Sequence, residues 1–147
     1  MEKVNDNIEE IAQTVFDNVP VDNWNKVIVE ASVLETYVEL TATYYINDVK
    51  GKSFDANYPE ASETQMLDNL FIALRKEVYA LSPGKGAWYN AVLVVQEDGE
   101  FDMSYDYDSK PNFEMEPDEE EYIIDNKEFP RDGGSTPGWL TKIIGTQ

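Results

Sequence analysis

Residues 101–108 of the chain read FDMSYDYD, and large apolar side chains alternate there with small polar or acidic ones. Every odd position is Phe, Met or Tyr, and every even position is Asp or Ser. Successive side chains of a β-strand point to opposite faces, so this period of two predicts a strand with one apolar face and one row of carboxylates. We expect Phe101, Met103 and Tyr105 to face the core.

Four further strands are predicted: one before the FDMSYDYD strand and three in the first half of the chain. Residues 87–96 form an apolar run, and residues 97–100 contain the Asp-Gly pair typical of a tight turn, so this run and the FDMSYDYD strand should form an antiparallel hairpin. Residues 24–46 are rich in β-branched and aromatic side chains and predict two more strands, with residues 35–36 as their connection. A weaker strand is predicted at 52–58, where Pro59 ends it.

Two segments have the 3.6-residue apolar period of amphipathic helices. The first covers residues 4–18, and the second covers residues 63–82, preceded by Ser62 as a good N-cap residue. The predicted order is therefore helix, strand, strand, weak strand, helix, strand, strand and tail. We expect an α+β fold, with an antiparallel sheet of four to five strands and two main helices packed on one face.

The composition changes after Asp108. Residues 109–147 hold four of the seven prolines and four of the eight glycines, and a short helix is predicted at 117–125. A chain of 147 residues fits one domain, so we expect residues 1–147 to form a single domain that ends in this acidic segment rich in Pro and Gly. Five apolar side chains predict that the tail folds back onto the body: Phe129, Trp139, Leu140, Ile143 and Ile144.

The chain contains no cysteine and no histidine. It therefore has no disulfide framework or thiolate site, and it lacks the side chain that most often serves as general base or metal ligand. No apolar run reaches the ~18 residues that a membrane span needs, and the polar, acidic start resembles neither a signal peptide nor a basic targeting helix. We expect a soluble, cytoplasmic protein.

Charge is the strongest compositional signal, with 30 acids against 11 bases and a net charge of −19. Nucleic acids and anionic membranes are bound through cationic side chains, so neither is expected as a partner. A basic protein is the partner that this negative electrostatic field would attract, although an acidic composition can also serve only to keep a protein soluble. The excess is concentrated in residues 97–132, which hold fifteen acids and three bases.

The aspartates of the FDMSYDYD strand could in principle serve two kinds of chemistry, metal binding and catalysis by paired carboxylates. Asp102, Ser104 and Asp106 have the spacing of the first ligands of a calcium loop, but Tyr107 and Phe113 stand where that loop needs Gly and a bidentate Glu. Paired carboxylates like those of glycosidases occur by chance in any acidic chain. We expect no metal, no cofactor and no enzymatic activity, with a carboxylate-only metal enzyme as the least favoured alternative.

Several short motifs resemble a known family. Val-Pro at 19–20 follows the first helix and precedes Trp24, a later strand contains Trp88, and Asp-Gly-Glu-Phe at 98–101 leads into Tyr-Asp-Tyr-Asp at 105–108. This order resembles the YezG-like family of antitoxin or immunity proteins, whose members carry Ile-Pro-x-x-Trp and a Phe-Asp-Tyr-Asp type cluster. Here the tryptophan lies one residue further from the proline than in that pattern.

The resemblance implies a small cytoplasmic bacterial protein that binds and neutralises a cognate toxin, often the C-terminal nuclease domain of a large secreted or contact-delivered polymorphic toxin. Nuclease domains are usually basic because they hold phosphates, so an acidic inhibitor suits them. The alternative hypothesis is a non-catalytic acidic adaptor or secretion chaperone for a basic protein. The candidate toxin-binding residues are Asp102, Asp106, Asp108, Glu114, Glu116, Asp118, Glu119, Glu120 and Glu121.

Overall fold

The computed structural model describes residues 2–145 and has the α+β fold expected from the sequence. The helices are α1 (Glu2–Asp17), α2 (Leu67–Leu81), α3 (Glu119–Glu128) and α4 (Gly138–Ile144). The strands are β1 (Lys26–Val33), β2 (Val38–Ile46), β3 (Val49–Phe54), β4 (Asn90–Gln96) and β5 (Phe101–Asp106). None of the helices within this range combines the length and the apolar character needed to cross a bilayer.

The five strands form one sheet in the order β3-β2-β1-β4-β5, and each neighbouring pair is antiparallel. β1 is central because its alternate residues are apolar and pack on both neighbours. Val29 pairs with Ala42 of β2 on one side and with Leu93 of β4 on the other, and all three side chains are buried. The period of two therefore places one apolar face of the sheet against helices.

The main core lies between that face of the sheet and the first two helices. Ile11 and Val15 of α1 and Phe71 and Leu74 of α2 are fully buried in one cluster with Leu93. α1 lies closest to β4, whereas α2 lies over β1 and β2. Full burial of each such side chain contributes about 1.5–3 kcal/mol, so this layer supplies most of the apolar stabilisation.

The tail folds back as predicted and builds a second, smaller cluster at one end of the sheet. Tyr122 of α3 and Leu140 of α4 are buried there against Leu34, which follows β1, and Tyr89, which precedes β4. α4 was not predicted, because a seven-residue helix is too short for its periodicity to stand out. The predicted helix at 117–125 is displaced and runs from 119 to 128.

The start of the second helix differs from the prediction. Residues 63–65 form a single 3-10 turn, and the α-helix itself begins at Leu67. Ser62 belongs to the 3-10 turn, where its N–H donates to Gln65 Oε1 at 3.0 Å. The N-cap signal therefore marks the correct place in the chain but a different kind of helix.

The weak third strand was placed too far along the chain, since β3 covers 49–54 rather than 52–58. Asn47 and Asp48 have φ values of 51° and 62° and form the tight turn that joins β2 to β3. Asn and Asp are the non-glycine residues that best tolerate this left-handed conformation. Gly51 lies so close to the Tyr44 ring that a Cβ would be 2.5 Å from it, which explains a glycine inside this strand.

Phe101 lies on the helix-facing side of the sheet as predicted, opposite buried Val95, but the expectation that it belongs to the core is wrong, because this side chain is 41% exposed. Met103 and Tyr105 are partly buried against the main core, as their positions in the alternation require. The physical reason is the position of β5 at the edge of the sheet, where α1 covers β4 more than its outer neighbour. Alternation predicts which face a side chain occupies but not whether a helix covers it.

Candidate functional site

The face of the sheet opposite α1 and α2 is open to solvent, and we call it the open face. At its centre Glu30, Thr41, Val92 and Ser104 are exposed and form one cross-strand row. An antiparallel sheet commonly packs one face against the core and leaves the other in contact with solvent, so the open face is available to a partner. Strands β1, β2, β4 and β5 place the following side chains on the open face: Lys26, Ile28, Glu30, Ser32, Glu39, Thr41, Thr43, Tyr45, Asn90, Val92, Val94, Gln96, Asp102, Ser104 and Asp106.

Carboxylates surround a hollow at one end of the open face. Glu39 and Asp106 stand at the two ends of a cross-strand row, and Glu30 lies in the adjacent row. Glu114 reaches the same place from the segment after β5. These four acids, together with Ser32 and Asn90 between them, line a space of ≈ 490 Å³ that we call the acidic hollow. Lys110 also lines it, and its Nζ forms an ion pair with Glu116, so the four acids of the hollow outnumber this one cation.

Asn90 holds the segment after β5 against the sheet and so shapes the hollow. Its Oδ1 accepts from Ser32 Oγ at 2.8 Å and from the N–H of Asn112 at 3.1 Å. Its Nδ2 donates to the carbonyls of Ser109 at 3.3 Å and Lys110 at 3.4 Å. One amide side chain thus fixes two strands and the crossing segment, which makes the rim a rigid support for the carboxylates.

Glu39 anchors the far rim of the hollow. Burial raises the pKa of its carboxyl, but the N–H of Glu114, the Tyr37 hydroxyl and the N–H of Met115 donate to it and together lower that pKa below its usual value. The donor–acceptor distances are 2.6, 2.8 and 3.1 Å. The carboxylate therefore stays ionised at neutral pH while it positions the backbone beside Glu114.

Asp106 has a similar double role at the end of β5. Its Oδ1 accepts the N–H groups of Ser109 and Asp108, both at 3.0 Å, and these bonds lower the pKa of its carboxyl. The side chain is half-buried, because it caps the turn that follows the strand. A substitution at Asp106 therefore disturbs the turn as well as the charge.

Asp102 and Asp108 differ from Asp106 in their surroundings. Asp102 is exposed on the open face, where it pairs across the sheet with Val94. The Asp108 side chain is 84% exposed and lies 3.4 Å from Arg131 Nη2. Arg131 itself is held by the carbonyls of Tyr107 at 2.8 Å and Ser135 at 2.7 Å. Asp102 is thus the aspartate of β5 whose charge can be changed with least effect on the fold.

The remaining candidate acids lie around the segment that leads into α3. Glu116 accepts from Lys110 Nζ at 2.6 Å and from the Tyr122 hydroxyl. Asp118 is the N-cap of α3, and residues 119–121 form its first turn, where carboxylates interact favourably with the positive helix end. The carboxylate of Glu121 also accepts from the Thr36 hydroxyl. These acids have local structural roles and do not line the hollow.

The structure therefore brings together only part of the predicted set. Asp106 and Glu114 meet at the acidic hollow, and Asp102 lies further along the same face. Sequence reasoning missed Glu30 and Glu39. The sequence does contain a signal for both. Each glutamate lies in a strand at a position that alternates with the buried apolar residues, so its side chain must point to the opposite, open face.

The aspartates of β5 were also compared with the geometry of a metal site. Asp102, Ser104 and Asp106 follow one another along a single face of an extended strand and not around a loop. Within residues 2–145 no group of three or more acidic side chains is arranged to hold a metal ion. The arrangement offers a row of separate negative charges to an approaching molecule.

A comparison with protein families finds a match over most of the chain. The family model described as "Immunity protein YezG-like" matches residues 4–133, which include α3 and all five strands but end before α4. This match confirms the resemblance carried by residues 19–24, 98–101 and 105–108. A search of curated proteins found no significant match.

Proposed function

Because the chain belongs to the YezG-like family of immunity proteins, we propose that it neutralises a basic, nuclease-type toxin domain by binding it through an acidic surface. Family membership supports an immunity role and a toxin protein as partner. The finer proposal is that this toxin is the C-terminal domain of a polymorphic toxin delivered by secretion or contact. The protein acts in the cytoplasm by occupying its partner, without catalysis of its own.

One observation carries the proposal: four carboxylates converge on a hollow in a sheet face that α1 and α2 leave open. Glu30, Glu39, Asp106 and Glu114 supply the charge, and Asp102 extends it along β5. Guanidinium and ammonium groups form their strongest hydrogen bonds with carboxylates. A nuclease domain presents such groups because it binds phosphates, so the hollow fits a lysine or arginine of the toxin.

The other acids support the approach of the partner. Asp108, Glu116 and the acids at 118–121 lie within the acidic segment 97–132 and contribute to the net charge of −19. Charges at the rim of an interface mainly accelerate association and make it sensitive to salt. We therefore propose that the hollow contributes most of the affinity and that the α3 acids contribute most to the long-range field.

The test is co-expression and affinity purification of the chain with the product of the adjacent upstream gene, followed by measurement of association over a range of salt concentrations. The wild-type chain should form a tight complex whose association slows as salt rises. Asp102→Lys should slow association about tenfold at low salt. Asp6→Lys, on the exposed side of α1, makes the same change in net charge far from the open face and serves as the matched control.

Thermal unfolding of both variants shows whether the fold is intact before binding is compared. Equal slowing by Asp102→Lys and Asp6→Lys would mean that net charge alone matters and that the open face is not the binding surface. A lack of any complex with the neighbouring product would contradict the proposed partner. Inhibition of the toxin's activity at equimolar chain completes the test, since a binder that leaves the toxin active is not an immunity protein.

A further inference from the structure

β5 is an edge strand with an unoccupied side. It pairs with β4, and no strand lies beyond it within residues 2–145. Alternate residues of such a strand present backbone N–H and C=O groups to solvent, and these groups can pair with a strand of another chain. The stretch that is free of neighbours runs from Phe101 to Asp106, because Arg131 and Trp139 bind the carbonyls of Tyr107 and Asp108 just beyond it.

The helix-facing side of β5 is incompletely covered. Phe101 is 41% exposed, although its cross-strand neighbour Val95 is 1% exposed. A groove of ≈ 380 Å³ lies between this end of β5 and α1. Phe101, Phe16 and Ala12 form its apolar part, and Glu9, Gln13 and Gly99 complete its lining. If a further strand paired with β5, its apolar side chains would enter this groove. They would extend the apolar layer that lies between α1 and β4.

The opposite side of the same strand is acidic. Asp102, Ser104 and Asp106 alternate with the apolar row and belong to the open face. An added strand would place every second side chain beside these carboxylates, where opposite charges on neighbouring strands attract. The edge therefore suits an extended segment in which apolar residues alternate with lysine or arginine.

We propose that the toxin domain adds one such amphipathic strand to the β5 edge, an inference that rests on the proposed function. Its apolar side chains pack beside Phe101 in the groove next to α1, and its basic side chains lie beside Asp102 and Asp106 on the open face. Six residues, the length of β5, are enough for one ordinary strand. The strand addition also brings the partner within reach of the acidic hollow, which Asp106 lines.

The other edge of the sheet does not suit the same partner. β3 carries Lys50 and Lys52 and no acid, so a basic segment would be repelled there. Its exposed apolar side chain, Val49, is 68% exposed and is the first residue of β3, as Phe101 is the first residue of β5. The two edges thus provide a matched comparison within one molecule.

The first measurement is amide hydrogen exchange, by NMR, of the isotope-labelled full chain alone and in complex with the toxin domain purified with it. We expect alternate amides of residues 101–106 to exchange at least about tenfold more slowly in the complex, and those of 49–54 to be unchanged. A complex in which the β5 amides keep their free rates would overturn strand addition but leave the proposed function standing. Failure to form any complex would overturn both.

The second measurement compares Phe101→Asp with Val49→Asp by affinity for the same toxin domain. Phe101→Asp should weaken binding about tenfold or more, because it puts a charge where the apolar side chains of the toxin strand would pack, whereas Val49→Asp should leave the affinity unchanged. Both side chains are exposed, so neither variant should unfold the chain, and circular dichroism checks this. Equal affinities of the two variants would overturn the proposed docking edge.

Discussion

The guanidinium of Arg75 on α2 and the carboxylate of Asp125 on α3 form a buried two-point contact, with N···O distances of 2.5 and 2.9 Å. The two residues are 1% and 2% exposed. Arg75 Nε also donates to the Trp88 carbonyl at 2.5 Å, and Asp125 Oδ1 accepts the N–H of Glu35 at 2.7 Å. The pair therefore joins the C-terminal segment to the second helix, to the turn after β1 and to the approach of β4.

Removing one member of this pair should destabilise the fold far more than replacing both members together. Asp125→Ala leaves Arg75 buried without its counter-charge and should lower the free energy of unfolding by about 3–5 kcal/mol. Arg75→Met combined with Asp125→Leu should recover a large part of that loss, because apolar side chains of similar volume need no counter-charge. Urea unfolding of the single and double variants measures both effects, with Asp6→Ala as an exposed control. An equal loss in the single and double variants would mean that packing, and not charge, holds the tail.

This pair also shows where sequence reasoning stops. Leu67, Leu70, Phe71 and Leu74 define the buried stripe of α2, and Arg75 is next to the last of them, but an arginine is ordinarily expected at the surface. Asp125 is 50 positions away, and in the sequence it is one of the fifteen acids of residues 97–132, with nothing to mark it as buried. Local periodicity cannot identify a partner at such a distance, because the pairing depends on how the tail packs.

The predictable part of the fold was the part with long, regular patterns. α1, β1, β2 and the β4–β5 hairpin follow from period and turn residues, whereas β3 depends on the conformation of Asn47 and Asp48, for which the sequence offers no Gly signal. The residues of the candidate site also divide into those that local patterns predict and those that depend on the tertiary fold. Asp106 was found from alternation alone, but the meeting of Glu39 with Glu114 depends on a loop that crosses the sheet.

The Glu39 carboxyl should make stability depend on pH in the acid range. Its pKa in the folded chain is lower than the usual value of 4.5, so its stabilising contribution is present above that value and is lost as pH falls through the lower folded pKa. Glu39→Gln should therefore reduce the free energy of unfolding at pH 7 but have less effect at an acid pH below the usual value of 4.5, where wild type also loses the contribution as its carboxyl is protonated. Urea unfolding at a series of pH values measures this, and Glu60→Gln, an exposed loop residue, controls for the loss of one charge. A wild-type advantage that is the same at both pH values would contradict the assigned role of Glu39.

Leu140 should be important for stability although α4 lies beyond the family match. The side chain is 1% exposed and packs with Leu34, Tyr89 and Tyr122 in the smaller cluster. Leu140→Ala should lower the free energy of unfolding by about 2–5 kcal/mol, because it leaves a cavity. Leu81→Ala is the matched control at the end of α2, where the leucine is 49% exposed and the cost should be about 0.5 kcal/mol or less. Similar costs for the two variants, measured by urea unfolding, would mean that α4 does not close this cluster in solution.

The contributions of the acidic hollow and of the first turn of α3 to toxin binding can be distinguished by reversing one charge in each. Glu30→Lys places a cation at the hollow, on an exposed position in the centre of the open face, and should weaken toxin binding about tenfold or more at physiological salt. Glu119→Lys makes the same change in the first turn of α3, where we expect slower association at low salt but little change in the dissociation rate. Surface plasmon resonance with the co-purified toxin domain resolves the two rates, and the thermal midpoint shows whether Glu119→Lys has weakened α3 through the helix dipole. A larger rise in dissociation rate for Glu119→Lys than for Glu30→Lys would indicate that the binding surface lies at α3 and not on the open face.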